Sequence, residues 1–312
     1  MTFELPSHPR IAIVGAGALG CYYGARLVQH GQEVHFLLRS DYGVVRKTGL
    51  SVHSHAGDFR LSPEQLHVYN DPAGMPQVDL VIVTLKSTAN SQLERLIRPL
   101  LRDCTAILTL QNGLGSEDEL ARLFGAGRVL GGLAFVCINR LAPGEIEHTD
   151  YGLIKLGEFG RAASPRARQI VQMFAASNVP CELLENLALG RWEKLIWNVP
   201  FNGLGGAMDW STDVLMKSEH GTALVRAIME EVVATANAAG VKLPASLVED
   251  NIRRTQSMGA YRSSMQIDQQ MHRPMEIETI IGNPLRVARS LGVPTPKMEM
   301  LYQMLNVGET SA

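Results

Sequence analysis

No run in these 312 residues approaches the roughly 20 consecutive apolar residues of a membrane-spanning helix. The apolar segment from Val129 to Ile138 is short and reads as a buried strand. Nor is one sign of charge in excess. Lys and Arg number 29 against 31 Asp and Glu, a net charge of -2, so the basic footprint of a nucleic-acid binder is missing. Cysteine is scarce. Cys21, Cys104, Cys137 and Cys181 are scattered, with no CxxC pair and no clustered histidines, which argues against a zinc site or any other metal. They are expected to be buried, reduced thiols. Met1–Arg10 lacks a basic stretch leading into an apolar one, so no secretory leader is expected. Together these absences favour the cytoplasm, with neither membrane nor nucleic acid as partner.

What is present is an ordinary globular composition, 46% hydrophobic and 19% charged, at a length that suggests about two domains. A chain this long can form a core without disulfides. Its first half alternates apolar, β-branched runs with helical stretches. The strands expected are Ile11–Val14, Glu33–Leu38, Asp79–Leu85, Thr105–Leu110 and Val129–Val136. Between them come helices at Ala18–His30, Ser91–Leu101 and Ser116–Phe124. This alternation implies a parallel sheet with helices on both faces. Glu145–His148 and Leu153–Leu156 flank Asp150-Tyr151-Gly152 and read as a hairpin. A helix at Pro165–Ser177 and a strand at Val179–Leu184 complete the unit. Beyond about residue 185 only helical periodicity remains, at Glu185–Asn198, Ala223–Ala239, Leu247–Ser257 and Met275–Leu291. The fold class expected is therefore α/β. A Rossmann-type doubly wound sheet over 1–184 is followed by an all-α domain over 185–312.

Gly15-Ala16-Gly17-Ala18-Leu19-Gly20 is a GxGxxG run with a strand before it and a helix after it. In that context Gly15 permits a tight turn, Gly17 lets backbone approach a pyrophosphate, and Gly20 lets helix and strand pack closely. The helix N-terminus then offers unpaired N–H groups to phosphate. The second strand ends in Leu37-Leu38-Arg39, where an NAD site usually has Asp or Glu. Glu33 begins the strand instead. Arg39 suits the 2′-phosphate of NADPH, unless it is simply a solvated surface arginine. Lys86 and Asn112 follow the next two strands, on the ligand side of such a sheet. From position alone each serves equally well as a loop residue making local turn bonds.

Lys194, Asn198 and Asn202 recur every four residues, on one face of a helix that is otherwise largely apolar. Buried amides need partners, and a substrate can be one. Reduction of a ketone needs a group that stabilises charge on oxygen and then gives a proton. A partly buried lysine meets that need. The alternative is a structural ion pair. Pro200 is expected to kink or end this helix. Ser264 can donate to a carboxylate, and Glu276 can accept from a substrate or ribose hydroxyl.

The ordered set Gly15-x-Gly17-x-x-Gly20, Leu38-Arg39, Thr84-Leu-Lys86, Gln111-Asn112-Gly-Leu-Gly115, Trp192-x-Lys194-x-x-x-Asn198-x-x-x-Asn202, Ser263-Ser-Met265 and Glu276-Ile-Glu278 resembles the ketopantoate reductase family across nearly the whole chain. The resemblance implies NADPH-dependent reduction of 2-dehydropantoate, or a closely related small 2-keto acid, on the way to pantothenate and coenzyme A. It implies that Gly15 to Gly20, Arg39, Lys86, Asn112, Cys137 and Glu276 hold NADPH/NADP+, and that Lys194 is the general acid. It makes Asn112, Lys194, Asn198, Asn202 and Ser264 the substrate contacts, and it leaves a homodimer open. Three residues depart from the family pattern: Pro200, Glu278 in place of an aspartate, and Tyr261 where an asparagine can bind substrate. Two rival readings are a β-hydroxyacid dehydrogenase of related architecture and a non-catalytic NADPH sensor.

Overall fold

A computed structural model describes residues 4–310. Its first part runs β1 (Arg10–Val14), α1 (Ala18–Gln29), β2 (Glu33–Leu37), α2 (Tyr42–Thr48), β3 (Leu50–Ser54), β4 (Phe59–Leu61), β5 (His67–Tyr69), β6 (Val78–Val83), α3 (Leu93–Ile97), β7 (Leu101–Thr109), α4 (Ser116–Phe124), β8 (Val129–Ala142), β9 (Glu145–Glu158), α5 (Pro165–Ala176) and β10 (Cys181–Leu183). The remainder is helical: α6 (Leu187–Met208), α7 (Thr212–Lys217), α8 (Glu219–Ala238), α9 (Ser246–Gln256), α10 (Ser264–Gln270), a π-helical turn (Glu278–Gly282), α11 (Asn283–Ser290) and α12 (Pro296–Thr310). Among the described residues no helix is long and apolar enough to cross a membrane.

The strands form one mixed sheet ordered β4-β3-β9-β8-β7-β6-β1-β2-β5, with β10 against β9. From β5 to β8 every neighbour is parallel. Successive residues of a strand face opposite sides. Ile11 and Ile13 enter one core with Leu80, Ile82 and residues of α1 and α5. Ala12 and Val14 enter a second with Val81, Val83, Leu93, Ile97 and Leu120. The sheet is thus wound on both faces, with its order reversing around β1.

Contacts divide the chain into two compact units. One holds the residues through Gln111 with Ser116–Leu187, the other Asn112–Gly115 with the residues from Ala188 onward. The short loop that follows β7 therefore packs with the helical unit, whose core joins Leu195, Ile196, Val199, Ile228, Ile280 and Leu301.

Several expectations need correction. The hairpin reverses at Pro143-Gly144, because Ala142 pairs with Glu145. Asp150-Tyr151-Gly152 instead lies inside the continuous strand β9. Tyr151 and Gly152 have φ of 60° and 125°, and the pairing steps from Phe135 opposite Leu153 to Val136 opposite Tyr151. The turn-like residues serve a bulge, which needs the same permissive backbone. The helix expected over Ser91–Leu101 shrinks to α3 between two 3-10 turns, the second containing Pro99. That expected over Met275–Leu291 is broken by the π turn before α11. Pro200 does not end α6, which continues to Met208. Beyond the proline, Gly205 and Gly206 let Ser263 and Met265 approach the helix backbone closely. Finally, the thiols are not all buried: Cys21 is, Cys137 and Cys181 are half-buried, and Cys104 is exposed.

Candidate active site

The parallel register fixes where the glycine loop lies. Val14 pairs with both Leu37 and Val83, Val83 with Thr109, and Thr109 with Gly131, so these strands end at one edge. The loop leaves β1 there. Gly15 has φ +93°, and a Cβ on it would meet the Leu85 nitrogen at 2.5 Å. A Cβ on Gly20 would collide with Thr84 and Ile13, so the glycine sets the approach of α1 to the sheet. Thr84 Oγ1 donates to the Gly15 carbonyl at 2.8 Å and Ala16 N to the Leu37 carbonyl at 3.2 Å, which pins the turn. Gly17 differs from both. It is exposed, and a Cβ there would meet only the Gly15 oxygen at 4.0 Å. As N-cap of α1 it leaves the first turn, including Ala18 and Leu19, without a side-chain cap. An open glycine before uncapped amides suits a phosphate.

Arg39 is exposed two residues past β2. Glu33 and Asp41, the carboxylates nearest it in sequence, are committed elsewhere. Glu33, at the far end of β2, accepts from Arg10 Nε at 2.7 Å and contacts His35 Nε2 at 3.0 Å. Asp41 is buried, accepting from Arg140 at 2.6 Å and Ser40 at 2.7 Å. Lys86 follows β6 at the same edge, its ammonium nitrogen buried. Cys137 is half-buried six residues beyond Gly131, in the stretch of β8 whose Arg140 reaches back to Ser40 and Asp41.

In the helical unit, Lys194 Nζ donates to Asn112 Oδ1 at 2.9 Å. The Lys194 pKa is lowered from 10.5 to about 7, chiefly by burial and next by the neighbouring Arg191 cation, with Glu276 opposing both. Desolvation disfavours the charged ammonium, and like charge adds to that. Asn198 is buried on the same face of α6, one turn on. Asn202, one turn further, accepts from Ser264 Oγ and from the Met265 amide, both at 3.0 Å, at the start of α10. The structure therefore gathers Lys194, Asn112 and Glu276, and separately Asn202 and Ser264. Tyr261 is half-buried in an aromatic group, its ring centroid 6.0 Å from Trp197, which stacks on Phe201 at 4.8 Å. Its backbone exchanges hydrogen bonds of 3.0 Å with Thr212.

Sequence reasoning missed Arg191, although its spacing of three from Lys194 places it on the same side of the helix. It also missed what holds the Asn112 loop. Leu114 N donates to the Thr279 carbonyl at 2.9 Å, and Asn283 Nδ2 donates to the Leu114 carbonyl at 2.6 Å. Gly113 and Gly115, at φ +86° and +94°, permit that approach. The glycine pair was the available signal.

The chain matches the family described as ketopantoate reductase PanE/ApbA over residues 11–161, and the C-terminal part of that family over residues 186–309. It is 44% identical over 301 residues to a 2-dehydropantoate 2-reductase of Nostoc sp., covering 95% of this chain and 94% of that protein. A crystal structure of 2-dehydropantoate 2-reductase from Geobacter metallireducens superposes with a TM-score of 0.93 at 46% identity, covering 96% of this chain and 99% of the other. Another, from Methylococcus capsulatus, gives a TM-score of 0.88 at 32% identity, with 97% of each chain covered. Both parts of the chain, the doubly wound sheet and the helical unit with its lysine, thus belong to the ketopantoate reductase PanE/ApbA family.

Proposed function

We propose that this protein reduces 2-dehydropantoate to pantoate with NADPH, Lys194 acting as general acid. The observation that carries the reading is a lysine ammonium held by Asn112 and tuned by burial to a pKa of about 7. Such a group is half protonated near neutrality, the condition under which a proton is most readily given and recovered. The relatives named 2-dehydropantoate 2-reductase support the choice of substrate.

The fit to a dinucleotide rests on the open Gly17, the uncapped start of α1 and the position of Arg39. The backbone of Gly15, Ala16, Gly17, Ala18, Leu19 and Gly20 would hold the pyrophosphate. Arg39 would take the 2′-phosphate, Lys86 adds positive charge, and Cys137, Asn112 and Glu276 would contact the remainder. Asp41 and Glu33 are already engaged, so neither is available to claim a ribose diol as in an NAD site.

The reduced nicotinamide, when bound, supplies the hydride that reaches the substrate C2. Lys194 stabilises the charge developing on the carbonyl oxygen and transfers its proton there, giving the hydroxyl and leaving a neutral amine that solvent reprotonates. Asn112 keeps the ammonium oriented. Asn198, Asn202 and Ser264 orient the carboxylate and carbonyl, so the reacting atoms meet without further ordering. A β-hydroxyacid dehydrogenase would oxidise a 3-hydroxy acid instead. A sensor would have no use for a lysine whose charge is suppressed at a cost in stability.

The test is NADPH consumption with 2-dehydropantoate beside a panel of other 2-keto and 3-hydroxy acids. Turnover should fall roughly 10²–10⁴-fold in Lys194→Ala. Arg39→Ala should weaken NADPH and leave NADH unaffected. NADPH bound without turnover of any panel member would overturn the enzymatic reading.

A further inference from the structure

The loop carrying Asn112 is fastened by a device that the sequence pattern of the site does not contain. In the π turn the Asn283 amide donates to the Glu278 carbonyl, five residues back. In the same register the Thr279 carbonyl would receive the amide of residue 284, but that residue is proline and has no N–H. The Thr279 oxygen instead accepts from Leu114 N at 2.9 Å. Next to it, Asn283 Nδ2 donates to the Leu114 oxygen at 2.6 Å. Both backbone groups of Leu114 are thereby held from one turn of helix.

The orientation of Asn283 is itself set. Its Oδ1 accepts from Arg286 at 2.5 and 3.2 Å, which directs Nδ2 toward Leu114. Arg286 also pairs with Glu278 at 2.7 Å, and Glu278 accepts from the Tyr302 hydroxyl at 2.5 Å. Contact on the other side is equally close. A Cβ on Gly113 would collide with the Thr279 carbonyl, and one on Gly115 would lie 2.7 Å from Asn283 Nδ2. Two residues before Leu114, Asn112 receives the hydrogen bond of Lys194.

We propose that Asn283, together with the Thr279 carbonyl that Pro284 leaves to Leu114, is the clamp that positions Asn112 against Lys194, making Asn283 a positioning residue for proton transfer. This rests on Lys194 being the acid and Asn112 its partner. A π turn is a costly irregularity in a helix and needs a reason. Here it turns one carbonyl and one amide side chain toward the same residue of the loop.

Asn283→Asp is the sharpest variant. It keeps the size and an acceptor for Arg286, but replaces the donor to Leu114 with an oxygen that repels it. The expected result is a 10- to 100-fold fall in kcat for 2-dehydropantoate reduction, a smaller change in KM, and a Tm within a few degrees of the parent. The basic limb of the kcat/KM–pH profile should also move to lower pH, because an ammonium that loses an acceptor is less favoured. A merely structural role would not move that limb. Pro284→Ala, which restores an N–H able to compete for the Thr279 carbonyl, should shift the limb the same way. It decides the matter if Asn283→Asp does not fold. Wild-type kcat and limb, or a fall in kcat with the limb unmoved, would overturn the clamp. Lys194→Ala and Asn112→Ala are run in parallel. If they retain turnover the underlying reading has failed; if they lose it and Asn283→Asp does not, only the clamp has.

Discussion

Lys194 and Asn112 are 82 positions apart in sequence, yet the lysine Nζ lies 2.9 Å from the asparagine Oδ1. The amide oxygen stabilises an ammonium that burial and Arg191 work to discharge. The pair thus keeps an ammonium in place where burial and a like charge disfavour it.

A pH dependence follows. As the proposed acid, Lys194 must be protonated, so kcat/KM for 2-dehydropantoate should fall as pH rises through about 7. Glu276 raises the Lys194 pKa by its negative charge. Glu276→Gln removes that contribution and should move the limb to lower pH, so that activity lost at pH 8 is partly recovered at pH 6. A profile measured from pH 5 to 9 checks both. A limb that stays in place in Glu276→Gln would separate that carboxylate from the acid.

The glycine loop gives a second prediction, because its glycines are there for different reasons. Gly17 has φ -80° and open space, so Gly17→Ala should leave Tm nearly unchanged while weakening NADPH. Gly15 has φ +93° and lies against the Leu85 backbone, so Gly15→Ala should lower both Tm and affinity. Thermal unfolding and NADPH fluorescence titration read the two effects. Equal loss of Tm in both variants would mean that Gly17 is structural.

How far the sequence disclosed this molecule depended on the range of the interactions. β1, β2, β6, α1 and α4 were readable because their apolar pattern is local and continuous. The short strands β3, β4 and β5 went unread, since three to five residues carry too little periodicity. Asp150-Tyr151-Gly152 was misread because a bulge and a hairpin turn ask for the same residues. The face of Lys194, Asn198 and Asn202 was legible from spacing alone. That Asn202 holds the start of α10, and that Asn283 holds the Asn112 loop, depends on pairings 63 and 169 positions apart, which no window reveals.

A third prediction concerns the sheet unit. Glu158 and Arg166 are almost fully buried and share hydrogen bonds of 2.8 and 2.6 Å. Burial alone would raise the Glu158 pKa, but Arg166, Ser164 and Arg161 outweigh it and hold the carboxyl below its usual range. The stabilisation is present above the unfolded value of 4.5 and is lost as pH falls through the lower folded value. Arg166→Met leaves a buried carboxylate short of its main partner and should cost about 3–5 kcal/mol at pH 7. At pH 5 the deficit should shrink, as Glu158 is then free to protonate. Urea unfolding at both pH values measures it, and an equal deficit at both would exclude the ion pair as the cause.

Lys194 should be a liability to the fold. Its folded pKa of about 7 lies below the unfolded value of 10.5. Between these values the unfolded chain binds more protons, so the contribution of Lys194 to stability improves as pH rises across the window, and its cost is complete below about 7. At about 1.4 kcal/mol per pH unit the full cost approaches about 5 kcal/mol, and solvent reaching the half-buried side chain reduces it. Lys194→Met, similar in volume and uncharged, should therefore unfold at higher temperature than the parent. The gain should be larger at pH 6.5 than at pH 9.5, while turnover of 2-dehydropantoate collapses. Calorimetry at the two pH values, beside the NADPH assay, measures both quantities on one sample. A variant less stable than the parent at pH 6.5 would mean that the bond to Asn112 and the attraction of Glu276 outweigh desolvation, and that the ammonium there is a structural cation.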